Sequence, residues 1–400
     1  MILTQLSPVP TANKNYALEG LRGIAALVVV LSHAVYTFFP FLQNCNPEYL
    51  KRPWEQLAVQ FPRTFYSGTF AVCIFFVMSG YVLAKAFFNG GGSVEQAAIK
   101  RYIRLALPVA ASVMLGCAMM SAGLLKVDVT DLPGFITAAY QGQPSFAEAA
   151  KDGIWRSLLN GAQTYNYVLW TIRIEFLGSL LLFAFLALFG KARHGWIYAP
   201  LITFAIGTID PMHAPLYGLF FAGAYLNKVG ESGRNSLTHG AALLGGLFLG
   251  GIQSCTSIYQ PLIRLVQKDP LHLPPDTWAY VPYSVGALLL VWVAVGNNGF
   301  SRFLSTGPLR WLGHKSFSLY LLHTFFLSSV GMAVYTMTEP MGLLARAALS
   351  TLAVIASSAA ASVLFARYVD DVSVRLANRY ARYAYPQRSA AATQAARQAA

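Results

Sequence analysis

The chain has 400 residues, of which 56% are hydrophobic and only 11% charged, and its mean hydropathy is +0.49. A soluble domain carries about 25% charged residues, so the balance excludes an ordinary soluble enzyme and indicates a polytopic membrane protein. The net charge of +13 then reads as Lys and Arg in cytoplasmic loops facing anionic lipid, and no nucleic-acid partner is expected.

Residues 1–16 lack a basic n-region followed by a short apolar core and a small-residue cleavage site. We therefore expect a cytoplasmic N-terminal segment, no cleaved signal peptide and a retained first span. Apolar runs long enough to span, at about 20 residues each, fall near 17–39, 67–89, 104–124, 168–189, 237–254, 279–297, 315–336 and 342–369. The stretch 196–229 is too long for one span and is broken by Asp210-Pro211-Met212-His213, which predicts two short spans and a tight turn. The expected fold is thus all-α, a transmembrane helical bundle of about ten spans over residues 17–385, with a disordered cytoplasmic tail over 386–400. No internal repeat is evident.

Short loops set the orientation through their basic residues. Those after the second, fourth, sixth and eighth spans hold Lys100, Arg101 and Arg104, then Lys191 and Arg193, then Lys228 and Arg234, then Arg302, Arg310 and Lys315. The turns near 210–213 and 337–341 hold none, so both termini are predicted cytoplasmic. Four cysteines are too few for a disulfide scaffold or a paired Cys-x-x-Cys metal site, and no metal is expected. Cys73 and Cys117 fall inside spans; Cys45 and Cys255 fall on the outer side, where a disulfide between them is open.

The first span carries Glu19, Arg22 and His33. Ionisable groups inside a membrane are costly, about 2.5–3.5 kcal/mol for a central Arg, and mark functional candidates. Arg22 and His33 are 11 residues apart, about three turns, so they share a face but sit about 16–17 Å apart along the axis. No single reacting atom touches both. A cytoplasmic donor with a charged head and a long arm fits that separation, and acyl-CoA is one: its phosphates want Arg and its thioester ends the pantetheine arm. His33 would serve as general base on an acceptor hydroxyl. The plain structural alternative is that Arg22 snorkels to the interface and His33 caps a neighbouring carbonyl.

Arg101 and Arg104, three apart, are neighbours on one helix face and could hold the donor phosphates as forks or serve as positive-inside anchors. Asn89–Ser93 reads as a linker, with no strand before it to make a phosphate loop. Gly80 most simply permits close helix contact. Ser79, beside it, would act as a nucleophile only with a base such as His33 at hand. Tyr320 and His323 face one way, toward either a structural hydrogen bond or the substrate. Glu175 must pair with something, an Arg or His33, and Trp170 suits an interface belt.

Five segments, taken in order, resemble the acyltransferase family 3 of integral membrane acyltransferases. Leu18-Glu-Gly-Leu-Arg-Gly23 with His33 resembles the family's Arg-x10-His helix, and Phe75-Phe-Val-Met-Ser-Gly-Tyr-Val-Leu83 its second helix. Arg101-Tyr-Ile-Arg104 with Pro108 resembles its Arg-x-x-Arg segment, and Leu169-Trp-Thr-Ile-Arg-Ile-Glu175 its Leu-Trp-x4-Glu segment. Leu312 to His323 resembles its late Ser-Tyr-x-Leu-Tyr-x-x-His signature. Glu19 stands where Asp is commoner, and Arg173 fills a slot often neutral, which puts the catalytic standing of Glu175 in question. Longer relatives carry a soluble domain after the last span, which this chain is expected to lack.

The resemblance implies a multi-pass enzyme of the bacterial inner membrane that O-acylates a sugar in a surface or exported glycan, with acetyl-CoA, or another acyl-CoA, as donor. In that reading His33 and Glu175 are catalytic. Arg22, Arg101 and Arg104 bind the donor, and Glu19, Ser79, Gly80, Tyr81, Trp170, Tyr320 and His323 contact the substrate or support the site. Partners are the acyl-CoA, a carbohydrate or lipid-linked glycan acceptor, and the bilayer. The rival is a secondary transporter of a lipid-linked or anionic solute with His33 and Glu175 as a proton relay; it predicts inverted repeats and paired broken helices, and neither is seen.

Overall fold

The structure, a computed structural model, describes residues 15–384 apart from 44, 46–49, 90–92, 126–135, 137, 230–235, 269–274 and 297–298. The expected tail over 386–400, most of the N-terminal segment and the glycines of the 89–93 linker lie outside the described residues.

Helices make up the fold, with no strand among the described residues. They are α1 (Tyr16–Phe38), α2 (Gly68–Asn89), α3 (Val94–Ser121), α4 (Trp170–Phe189), α5 (Tyr198–Gly207), α6 (Ala214–Val229), α7 (Ser236–Gly250), α8 (Pro275–Val295), α9 (Gly307–Phe326), α10 (Leu343–Phe365) and α11 (Asp371–Ala384), joined by shorter turns. Each apolar run of the sequence corresponds to a helix, but not all reach span length. Among the described residues, seven stretches are long and apolar enough to cross a membrane: α1, α2, α3, α4 with the turn before it, most of α8, Gly307–Met337 and Leu343–Ala384. By contrast α5, α6 and α7 have 10, 16 and 15 residues, short of the roughly 20 that a full crossing takes.

Local chemistry sets the helix starts. Asn15 Oδ1 accepts from the amides of Ala17 (3.1 Å) and Leu18 (3.3 Å), capping α1, whose first turn carries Glu19. Helix α3 starts ten residues before the expected apolar run, because Ser93 caps it through the Gln96 amide (3.4 Å). Hydropathy detects only the apolar part of a helix, so Lys100, Arg101 and Arg104 lie inside α3 rather than in a loop. Pro108 in the same helix has no amide to offer the Arg104 carbonyl four residues back. Ser373 Oγ of α11 lies 3.4 Å from that carbonyl and shares its one proton with the nearer Asp370 carbonyl (2.7 Å).

Helix α1 is the central element, packed against α9, α2 and α10. Its approach to α9 is very close: a Cβ on Gly313 would lie 1.9 Å from the Glu19 carbonyl oxygen, and one on Gly23 2.6 Å from the Gly313 amide. Small residues let two backbones meet this way. Cys45 and Cys255 form a disulfide with Cα atoms 5.5 Å apart, tying the segment after α1 to the segment after α7. Cys73 and Cys117 are buried free thiols.

Candidate active site

His33 of α1 and His323 of α9 meet inside the bundle, His33 Nδ1 2.9 Å from His323 Nε2. His323 is fully buried and His33 partly so. The second nitrogen of His323, Nδ1, lies 2.7 Å from the Tyr320 carbonyl oxygen. A carbonyl only accepts, so Nδ1 of His323 carries that ring's proton and its Nε2 is an acceptor. His33 must then donate from Nδ1, which leaves the lone pair of the neutral ring on Nε2. A buried imidazole thus fixes which nitrogen of a more accessible one can take a proton.

Around this pair the polar side chains are internally connected. The Tyr320 hydroxyl reaches the Val168 carbonyl (2.8 Å) and Thr171 Oγ1 (2.6 Å), so its polar end is held by the start of α4. Asn166 donates to the Leu321 carbonyl (2.8 Å), and Thr324 Oγ1 donates to Asn166 Oδ1 (3.3 Å). The Tyr167 ring meets His33 edge-on, with centroids 5.8 Å apart.

Glu175 belongs to a second network. Its Oε1 pairs with Arg101 Nη2 and accepts from Ser79 Oγ (2.5 Å). Arg101 also donates from Nε to Ser179 Oγ (2.9 Å). The group that balances Glu175 is therefore Arg101 on α3. Arg173 turns away, donating to the Leu159 carbonyl (3.2 Å) with Nη1 3.9 Å from Asp210 Oδ2, because i and i+2 positions do not share a helix face. Ser79 is joined to this carboxylate rather than to His33, and among the described residues no hydrogen bond links Glu175 to the histidine pair.

Arg22 Nη2 donates to the Gly313 carbonyl (3.1 Å), while its buried Nε has no hydrogen-bond partner among the described residues. Arg104 is exposed, and Asp370 lies within electrostatic reach of both arginines. Glu19 is buried beside Gly313 and within reach of Arg22. An orphaned buried guanidinium N–H next to an exposed Arg is a donor set that fits phosphate, so Arg22 and Arg104 fit the charged head of an acyl-CoA. The Arg101 guanidinium is already engaged by Glu175 and Ser179.

The remaining predicted residues lie apart. A Cβ on Gly80 would stand 2.1 Å from the Phe220 carbonyl oxygen, so it serves the α2–α6 contact. Tyr81 lines a separate cavity of about 430 Å³ with Lys85 and Lys228. The Trp170 ring lies tilted beside His213 (centroids 6.1 Å apart), whose Nδ1 is 2.9 Å from Asp210 Oδ1. Sequence reasoning missed Tyr140, Asn166, Tyr167, Thr171 and Thr324. They are uncharged and, apart from Thr171 and Thr324, precede the helices in what read as a loop, where neither hydropathy nor charge singles them out.

A family model described as an acyltransferase domain matches residues 15–367. The chain is 21% identical to Acyltransferase R4 of Phoma sp., over 82% of this chain and 86% of that protein, and 22% identical to Acyltransferase clz18 of Cochliobolus lunatus, over 81% and 85%. It is 28% identical to O-acetyltransferase PaAT-1 of Phomopsis amygdali, over 44% of this chain and 41% of that one. No solved structure matches.

Proposed function

Since the chain belongs to the acyltransferase family whose domain spans residues 15–367, we propose that it moves an acyl group, acetyl in the first instance, from a cytoplasmic acyl-CoA to a hydroxyl of a sugar in a surface or exported glycan. It is a multi-pass membrane O-acyltransferase; the donor, the acyl length, the acceptor and the roles of single residues form the proposal. The observation that carries it is the ordered His33–His323 pair, which leaves the lone pair of a partly accessible ring on His33 Nε2.

In this reading His33 Nε2 takes the proton of the acceptor hydroxyl as its oxygen bonds to the thioester carbonyl carbon. His33 then returns that proton to the departing sulfur as the C–S bond breaks. Arg22 and Arg104 hold the donor's phosphates about three helical turns below, and Arg101 with Ser79 positions Glu175. An acetyl group and a hydroxyl acceptor agree with the name of the O-acetyltransferase relative. The proposed orientation has both termini cytoplasmic, with ten helices taking part in the membrane. It is supported by the disulfide, which belongs in an oxidising compartment, and by the basic residues at the other end. The proposed compartment is the bacterial cytoplasmic membrane, although the three relatives are fungal.

The test is labelled acetyl-CoA supplied to inverted vesicles, with transfer followed into glycan. His33→Ala is expected to lower the rate by about 10²–10⁴-fold, the usual contribution of a general base. Wild-type transfer is expected to fall on acidification as the imidazole protonates. Transfer at an undiminished rate in the variant excludes His33 as the base.

A further inference from the structure

The ends of α2, α4 and α6 leave between them a cavity of about 430 Å³, within the usual range for ligand pockets. Helix α2 starts beside the disulfide-tied segments, where Gln43 donates to the Tyr66 carbonyl (3.2 Å). Its 22 residues then carry it about 33 Å, so the cavity lies at the opposite membrane interface. The lining is largely apolar and aromatic, with Phe88, Phe185, Leu186 and Tyr225 in it, and two exposed lysines, Lys85 and Lys228, complete it. Lys228 Nζ is 3.4 Å from the Gly190 carbonyl oxygen and 5.3 Å from the centre of the Tyr225 ring. That hydrogen bond uses one of its three N–H groups and leaves two. Lys85 makes no hydrogen bond or ion pair among the described residues. No Asp or Glu is among the described residues of the lining, nor is Arg22 or Arg104, the pair that fits the donor phosphates.

We propose that this cavity binds an anionic phospholipid, with Lys85 and Lys228 on the headgroup phosphate and the aromatic wall against the first acyl carbons. A lone lysine at a helix end commonly does no more than snorkel to the interface. Two ammonium groups on one apolar cavity, with no carboxylate to balance them, select a ligand that carries negative charge at one end and hydrocarbon at the other. A soluble phosphate lacks the hydrocarbon that the wall takes up. A zwitterionic lipid brings its own cation close to the two lysines. The bound lipid ties together the ends of α2 and α4, which carry Ser79 and Glu175, and of α6. The inference uses neither the role of His33 nor that of the donor arginines.

The test places the full chain in nanodiscs of phosphatidylcholine, alone or mixed with phosphatidylglycerol, and maps lysine acylation by an N-hydroxysuccinimide ester with peptide mass spectrometry. With phosphatidylglycerol present, Lys85 and Lys228 are expected to react about fivefold more slowly, the scale of one contact between a lysine and an anionic lipid. Lys191, which follows α4 but is outside the lining, is expected to change by less than about twofold on the same scale. In detergent, native mass spectrometry is expected to show phosphatidylglycerol retained in preference to phosphatidylcholine. Lys85→Gln with Lys228→Gln is expected to weaken that binding about 25-fold, whereas Arg379→Gln with Arg382→Gln, which removes equal charge from α11, leaves it within about twofold. The acylation map needs no variant, so a double variant that fails to fold leaves the test intact. Equal reactivity of Lys85 and Lys228 in the two nanodiscs, equal retention of phosphatidylcholine, or undiminished binding by the folded lysine double variant overturns the proposal. So does protection of the two lysines by inorganic phosphate or coenzyme A alone. None of these readouts requires acyl transfer, whose own test is His33→Ala.

Discussion

Arg101 and Glu175 show how one residue's role depends on what its neighbours leave it. The pair is largely buried, with 9% and 15% of the side chains exposed. Removing one member of such a pair leaves a buried charge unmatched, which costs about 3–5 kcal/mol. Arg101→Ala is therefore expected to lower the thermal midpoint sharply. Arg101→Met with Glu175→Met is expected to recover part of that loss, because the two charges leave together. A raised KM for acetyl-CoA with unchanged stability would instead identify Arg101 as a donor ligand, the role that its place at the helix mouth suggests. Ser79 follows the same logic: its hydroxyl serves the carboxylate, so its spacing from His33 along the sequence says nothing about its chemistry.

At the scale of elements, the crossing of α1 and α9 decides the site. These helices bring His33 to His323 and Arg22 to Gly313 in one contact, and the contact exists because Gly23 and Gly313 carry no Cβ. Gly313→Ala places a methyl 1.9 Å from the Glu19 carbonyl oxygen, so the helices must separate. Overpacking of this kind costs about 1–3 kcal/mol. The expected outcome is a lower melting temperature together with a larger loss of transfer rate, since a separation of a few tenths of an ångström lengthens the histidine hydrogen bond. Wild-type activity in this variant would show that the crossing does not set the geometry of the base. Hydropathy located α1 well but started α3 ten residues late and α9 eight residues late, because charged and polar residues interrupt the apolar pattern in their first turns. It gave 237–254 for a span where α7 has 15 residues, because apolar composition does not report how soon a helix ends, whereas α5 and α6 are the two short helices that the break at 210–213 indicated.

For the whole molecule, the Cys45–Cys255 disulfide joins positions 210 residues apart. A cross-link that closes so long a loop restricts the unfolded chain, and removing a native one typically costs about 2–5 kcal/mol. Cys45→Ser is expected to destabilise the protein by that order, and peptide mass mapping without reductant is expected to find the two cysteines linked. Recovery of both as free thiols from cells that export oxidised proteins would contradict this pairing and the shared outer location of the two segments.

Properties carried by neighbours along the chain were legible from residue order alone. Mean hydropathy and charge gave the membrane class, apolar runs gave the helices, and helical periodicity put Arg22 and His33 on one face about three turns apart. Five short motifs in order pointed to the family. Pairing across helices was not legible, because it depends on how each helix is rotated and where it crosses the next, and spacing encodes neither. Only the tertiary structure could give His33 a partner 290 residues away, assign Glu175 to Arg101 rather than Arg173, and bring the uncharged Asn166 and Tyr140 to Thr324, the residue after His323.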